Sequence, residues 1–294
     1  MRTNKSLKED IAFLDGIKGL CIAYEQISVM KMDKIRESVL YTRNFFNQLS
    51  QIYLQLKVNY KRQVLSLKRK NKIVDPSKSL LMGKNNKEVL VLITANNKLY
   101  GSILNKVFNL FIKEVSKSSG DAVIIGKLGK QLFEESGIKK TYQYFELPDE
   151  DLATEDLKGL ISSLVNYSDI NVYFGTYINF FKQQADKKNL SGSDEGQADD
   201  TVKKEFYYFE PDLEKILLFF ETQIFASIFK QTASEGQLAR YASRIGAMEQ
   251  ALISINKEEK IAHQQRIKEE KSWSESEQRE RVSKIIFRNS LNQI

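Results

Sequence analysis

A chain of 294 residues with 41% hydrophobic content can bury one large core or two modest ones, while 28% charged residues is high for a compact enzyme and places much of the chain on solvated helix. One cysteine and one histidine, Cys21 and His263, exclude an internal disulfide, a thiolate metal cluster and most histidine-based metal sites. The formal charge of +7 permits an acidic partner without requiring one.

The N-terminal residues Met1 to Lys5 lack the apolar core of a signal segment, and no run of about 18 apolar residues follows, so no membrane span is expected. The first predicted element is a long helix. Leu7, Ile11, Leu14, Cys21, Met32, Ile35, Val39, Thr42, Phe46, Leu49, Tyr53, Leu56 and Tyr60 recur at alternating four- and three-residue steps, with Lys18, Glu25 and Ser28 as polar interruptions. That is the seam of a coiled coil. Gly16 and Gly19 each cost about 1 kcal/mol relative to alanine inside a helix, which fits either close packing against a neighbour or local pliability. Lys57, Lys61, Arg62, Lys68, Arg69, Lys70 and Lys72 form a basic cluster of the kind that binds nucleic acid or anionic lipid, but a run this short is commonly a solvated rod end or an ordinary loop and is read so here; no stacking-aromatic pattern accompanies it, and no nucleic acid is expected.

The period then changes. Glu88 to Thr94 and Ala122 to Gly126 are short apolar runs, as strands buried on both faces require. A turn at Gly101 leads into a helix with Ile103, Val107, Leu110 and Phe111 inward, and Lys127 to Ser136 forms another. Thr141 to Phe145 and Ile170 to Ile178 are further strands, separated by a helix near Asp151 to Val165. Strands alternating with helices predict a Rossmann-like α/β domain with a mainly parallel sheet. Leu190 to Asp200 is small, polar and acidic, hence a loop.

The last element opens on Glu210-Pro211-Asp212, where proline suits a first helical turn. Leu213, Leu217, Phe220, Ile224, then Leu238, Tyr241, Ile245, Met248, Leu252 and Ile255 form a second seam. The N-terminal helix is its natural partner. The fold class is therefore α/β, with a long antiparallel coiled coil of the two terminal helices around the central domain. The boundaries are residues 1–72 and 206–294 for the helices and 73–205 for the domain, with a flexible loop at about 186–203.

Nothing here has the makings of an active site. Asn96 to Ser102 holds one glycine where a dinucleotide fingerprint needs three, and Gly126-Lys127-Leu128-Gly129-Lys130 is an incomplete phosphate loop, read as a tight strand-to-helix turn. With one histidine and one cysteine, no catalytic triad is available.

The chain does resemble a family. Phe209-Glu210-Pro211, followed in gap-free register by Arg244-Ile245-Gly246-Ala247-Met248 and Ala251, is similar to the C-terminal helix of the gamma subunit, or central stalk, of rotary F-type ATP synthases. Ile11-Ala12, the stretch from Ala23 to Met32 including Lys31, and Lys98 to Asn105 match that family's other motifs. Departures are Lys18-Gly19-Leu20-Cys21-Ile22 for a Lys-rich segment, Ala239-Arg240 for Ser-Glu, Leu252 to Ile255 for Thr-Asp-Asn-Ala, and the tip, Ser272 to Ile294.

The resemblance implies a rotor shaft within a hexamer of alpha and beta subunits, one copy per hexamer, coupling ATP synthesis or hydrolysis to rotation and normally to proton translocation. It implies an epsilon-like subunit and a membrane rotor ring as further partners, and a peripheral place on the cytoplasmic side of a bacterial plasma membrane. No catalytic residue, metal or cofactor is expected on this chain; ATP, ADP and Mg would lie on partner subunits. Candidate head contacts are Arg240, Arg244, Met248, Lys31 and Met32, with solvent exposure as the other reading of the two arginines; Tyr208, Glu210 and Pro211 are candidate hinge or foot residues. Gly246, Ala239, Ala242 and Ala247 are expected to let helices approach closely. A specialised F-type-like rotor driving other mechanical work, such as motility, a coiled-coil scaffold unrelated to ATPases, and a nucleotide-binding enzyme remain alternatives.

Overall fold

The computed structural model describes residues 4–69, 85, 87–150, 152–153, 155–164, 166–190 and 225–291, with side chains at 4–5, 49–69 and 286–291 outside that description. The elements in order are α1 (Asn4–Arg69), β1 (Glu88–Ile93), α2 (Ile103–Val115), β2 (Asp121–Ile125), α3 (Lys127–Glu135), β3 (Tyr142–Phe145), α4 (Lys158–Leu164), β4 (Asp169–Tyr177), β5 (Gln183–Asn189) and α5 (Phe225–Leu291). By contact, the chain forms two compact units, Met1–Ile27 with Ile245–Ile294, and Ser28–Arg244.

In the first unit the early part of α1 runs against the late part of α5. Leu7 and Cys21 of α1 are buried, as are Met248 and Ala262 of α5, while most residues between them are exposed. A narrow buried stripe at heptad spacing is what a coiled coil needs. The polar interruption at Lys18 is part of the seam, because its Nζ meets Glu259 Oε2 at 2.9 Å. The seam thus continues past Ile255, the last of its predicted apolar residues. Glu259 is paired across it, and the helix itself continues to Leu291.

In the second unit the later part of α1 meets the earlier part of α5, the reversed order that antiparallel pairing requires. Gln231 Nε2 donates to the Val39 carbonyl at 3.0 Å, and Thr42 Oγ1 donates to Gln231 Oε1 at 2.9 Å. The sheet here has the order β3-β2-β1-β4-β5. Its first four strands are parallel, with Val91 opposite both Val123 and Val172. The fifth strand is antiparallel to β4, pairing Asn171 with Asn189 through Tyr177 with Gln183.

The continuous apolar runs predicted as doubly buried strands are so because both sheet faces are covered. One face places Val89, Val91, Val123 and Val172 against Leu157, Leu160 and Leu164 at α4 and Phe225, Ile228 and Phe229 of α5. On the other, Phe111 of α2 and Phe133 of α3 pack ring against ring, with Tyr173 edge-on to Phe111 at 5.5 Å. Two boundaries differ from the sequence reading. The helix expected near Asp151 to Val165 is the shorter Lys158–Leu164. The loop expected at about 186–203 begins instead as strand, since β5 runs to Asn189 and has β4 beside it to satisfy its backbone. Tyr208, Glu210 and Pro211, and residues 191–203 of that loop, lie outside the described residues, as do the side chains of the basic cluster from Lys57.

Candidate functional site: a crevice filled by the C-terminal helix

The strand order fixes where a ligand would sit. From β1 the chain moves outward to β2 and β3, then returns to place β4 on the other side of β1. In open parallel sheets the crevice at such a reversal, outside the carboxyl ends of the strands, is the usual binding place. Here it is occupied by α5.

Glycines make the approach possible. A Cβ on Gly175 of β4 would lie 3.3 Å from the Ala239 Cβ and 3.0 Å from Ile103 Cγ1, and one on Gly236 would lie 3.8 Å from the Phe174 Cβ. Ala239 and Ala242 are fully buried. The small residues of α5 do allow close approach, but Ala239 is set against a strand where a helix neighbour was expected. Gly246 has open space where its side chain would be.

With the helix this close, Arg240 and Arg244 reach the loop after β1. Arg240 Nη1 donates to the Thr94 carbonyl at 3.2 Å, and Arg244 donates from Nη2 to the Lys98 carbonyl at 3.0 Å and from Nε to the Leu99 carbonyl at 3.1 Å. Both guanidinium groups lie over the Tyr100 ring, at 5.7 and 3.7 Å from its centre. Each arginine is only 6% exposed. This corrects the solvent-exposure reading of the pair: neither side chain is free in solvent, because the loop carbonyls desolvated under α5 need donors. Leu99 is held at φ 72°, a left-handed conformation costly for a branched side chain, and its carbonyl is among those that Arg244 takes.

The rest of the loop is equally committed. Asp149 accepts from the backbone N–H groups of Asn96 and Asn97, at 2.9 and 3.1 Å. Gln237 Nε2 of α5 donates to the Asp149 carbonyl at 2.8 Å. Gln237 also donates to the Tyr241 hydroxyl, whose pKa burial pushes up to about 12. The start of α3, where an incomplete phosphate loop was considered, has no donors to spare. Lys127 N–H goes to Asn96 Oδ1, Leu128 N–H to the Ala95 carbonyl and Gly129 N–H to Thr94 Oγ1. Lys127 Nζ pairs with Glu146, which raises the lysine and lowers the carboxylate. Between these parts remains a cavity of about 30 Å³ lined by Thr94, Gly126, Asp149, Ser234, Gln237 and Arg240, room for water and far too small for a nucleotide.

A second group of charges sits where α1, α5 and the β4–β5 hairpin meet. Arg43 pairs with Glu235 at 2.9 Å and donates to the Tyr177 carbonyl at 3.0 Å. Burial pushes the Glu235 carboxyl up, opposed by Arg43 and Lys188, and burial likewise lowers Lys188. Of the remaining predicted contacts, Met32 and Met248 are buried in helix packing, and Lys31 is paired with Glu150. Sequence reasoning missed Tyr100, Asp149 and Glu235. The only signal was Gly236-x-x-Ala239-Arg240, a small-residue face followed by a charge, which does not say what it faces.

Among the described residues no group of His, Cys, Asp and Glu has the geometry to hold a metal, and no helix is long and apolar enough to cross a membrane. The site binds the chain to itself, so its relatives must indicate what the whole is for. The family model described as ATP synthase matches residues 3–266. The ATP synthase gamma chain of Chloroflexus aurantiacus is 22% identical over 83% of this chain and 86% of its own length, and that of Mycoplasmopsis pulmonis is 23% identical over 85% and 87%. The gamma chain of Staphylococcus epidermidis is 22% identical, but the match covers 55% of this chain and 60% of that relative, less than two thirds of its length. In fold, the chain is similar to one in the Euglena gracilis mitochondrial ATP synthase (OSCP/F1/c-ring), with a TM-score of 0.58 and 15% identity over 90% of this chain and 96% of that one. It is also similar to one in the Tetrahymena thermophila mitochondrial ATP synthase central stalk/c-ring, with a TM-score of 0.52 and 16% identity over 79% and 99%. The chain belongs to the ATP synthase family, as a divergent relative of its gamma chains.

Proposed function

We propose that this chain is the central rotor shaft of an F-type or F-type-like rotary ATPase, turning within a hexamer of alpha and beta subunits. The observation that supports it most is the family match over residues 3–266 to a chain whose terminal helices pair in reversed order. The mechanism follows from that pairing. Two different helices wound together have no threefold symmetry, so they offer a different face to each surrounding site. Each site's nucleotide affinity then depends on the angle of the shaft, and turnover at the sites shifts the preferred angle.

The shaft needs stiffness and no reactive group of its own. Its nucleotides and Mg belong on the partner subunits, and a membrane rotor ring and an epsilon-like subunit complete the rotor. This places the chain peripherally at a membrane, on the cytoplasmic side of a bacterial one. The crevice geometry contributes to stiffness: α5 is locked to the sheet through Arg240, Arg244 and Gln237, so torque on the helix reaches the α/β domain without slip.

Isolation of the chain from its native cells tests this reading. One copy should come with a stoichiometric hexamer of nucleotide-binding subunits, and a bead fixed to the α/β domain should rotate when ATP is added. A chain recovered without such a hexamer sinks the proposal and leaves the scaffold. A second reading, a rotor specialised for other mechanical work, is favoured by one observation. The family match ends at residue 266, whereas α5 continues to Leu291.

A further inference from the structure

The seam of α5 ends before the helix does. Leu252, Ile255, Glu259, Ala262, Arg266 and Glu269 follow one another at three- and four-residue steps, and each is buried or half-buried. The next position at that spacing is Trp273, which is 71% exposed. The partner helix runs out at the same level. Lys18 of α1 lies opposite Glu259, so in an antiparallel pair Asn4, where α1 starts, falls opposite about residue 273. Helix α5 nevertheless runs on to Leu291, a further ~27 Å at about 1.5 Å per residue.

The described side chains of this overhang do not form a new seam. From Ser272 to Ile285 all are exposed except Glu277, which is half-buried. Trp273, Val282 and Ile285 are the large apolar residues among them, and Val282 lies about half a turn round the helix from Trp273, so they make no common stripe. A helix that is polar all round is held by its own side-chain pairs or does not persist. Here the pairs are present. Glu275 meets Arg279 at 3.5 Å, Glu277 meets Arg281 at 2.7 Å and Glu280 meets Lys284 at 2.7 Å. In all three the acid stands four residues before the base, the more favourable order on a helix. The costly step for a lone helix is nucleation, and the coiled coil below has already taken it. Only propagation is left, and no glycine or proline follows Gly246 to interrupt it.

We propose that α5 beyond Glu269 is a free-standing helix, stiffened by the chain of pairs Glu275–Arg279, Glu277–Arg281 and Glu280–Lys284 in place of a partner helix. The overhang is thus an arm that keeps its shape in water and needs no apolar surface to hold it. The proposal is read from α5 and its pairing with α1, and stands apart from the rotor reading, which co-purification of a hexamer tests separately.

The test compares the circular dichroism of the full chain with that of a chain ending at Ser272, in low salt. The difference spectrum reports the overhang and should be helical, with the same shape at every protein concentration. In the variant Glu275→Gln, Glu277→Gln, Glu280→Gln the helical difference should fall at least twofold, because glutamine keeps the helix propensity and removes only the pairs. Salt at about 1 M should have a similar effect on the wild type and little on the variant, since exposed pairs are screened. The melting of the remainder should be the same in both. A difference spectrum of random coil overturns the proposal. So does a helical one that the glutamine variant leaves unchanged, or one that appears only as concentration rises, which would mean that a second copy supplies the missing partner.

Discussion

The Arg244 guanidinium lies 3.7 Å from the centre of the Tyr100 ring while donating to the carbonyls of Lys98 and Leu99 on either side of the turn that presents that ring. One side chain thus closes the loop after β1, satisfies two desolvated carbonyls and fixes the position of α5. A lysine offers a compact charge with no planar fork to stack. Arg244→Lys should destabilise the chain by about 2 kcal/mol, the order of a charge-assisted hydrogen bond plus a desolvated stacking contact. Chemical denaturation checks this, and an unchanged midpoint would remove the locking role.

Gly129 is a sharper test of how tightly the crevice is built. A Cβ there would stand 2.7 Å from Thr94 Oγ1 and 3.0 Å from Ile124 Cγ2. Gly129→Ala should cost about 1–3 kcal/mol through overpacking. Gly159→Ala on α4 meets nothing within 4 Å and should be neutral or stabilising by up to about 1 kcal/mol through helix propensity. Thermal melting of the two variants side by side separates steric from propensity effects.

Across the helix seam, Lys18 and Glu259 are less than a third exposed. Lys18→Glu sets like charges opposite each other and should destabilise by roughly 1 kcal/mol, with the exchange Lys18→Glu, Glu259→Lys restoring most of it. A double-mutant cycle with no coupling energy would show that the pair is incidental.

The Glu235 carboxyl gives a pH signature. Burial raises its folded pKa above the unfolded value, despite the opposing pull of Arg43 and Lys188. The folded state then holds the proton more tightly, so this contribution is fully present below the ordinary glutamate range and is lost as pH rises through the raised value. Wild-type stability should therefore fall with pH just above that range more steeply than that of Glu235→Gln. Parallel slopes for the two proteins would contradict the assignment.

The heptad steps from Leu7 to Phe46 and from Leu238 to Ile255 were enough to predict two long helices that pair, because a coiled-coil seam is local and its period is written residue by residue. The buried strands were legible for the same reason, since the apolar runs at Val89 and Val123 have no exposed face to alternate with. Helix α4 was placed but drawn too long, and β5 was missed. Its half-buried polar sequence, Gln183 to Asn189, becomes a strand only because β4 offers it an edge.

What the sequence determined by itself is the pair of helices, the parallel sheet between them and the poverty of reactive groups; all three depend on residue type and spacing. What only the tertiary structure decided is the direction in which Arg240 and Arg244 point. A charge on a helix has several faces open to it, and its role is set by which distant carbonyls are left without water. Here those carbonyls belong to Thr94, Lys98 and Leu99, more than a hundred residues away in the chain, and they make the two arginines a lock that holds the C-terminal helix in the crevice.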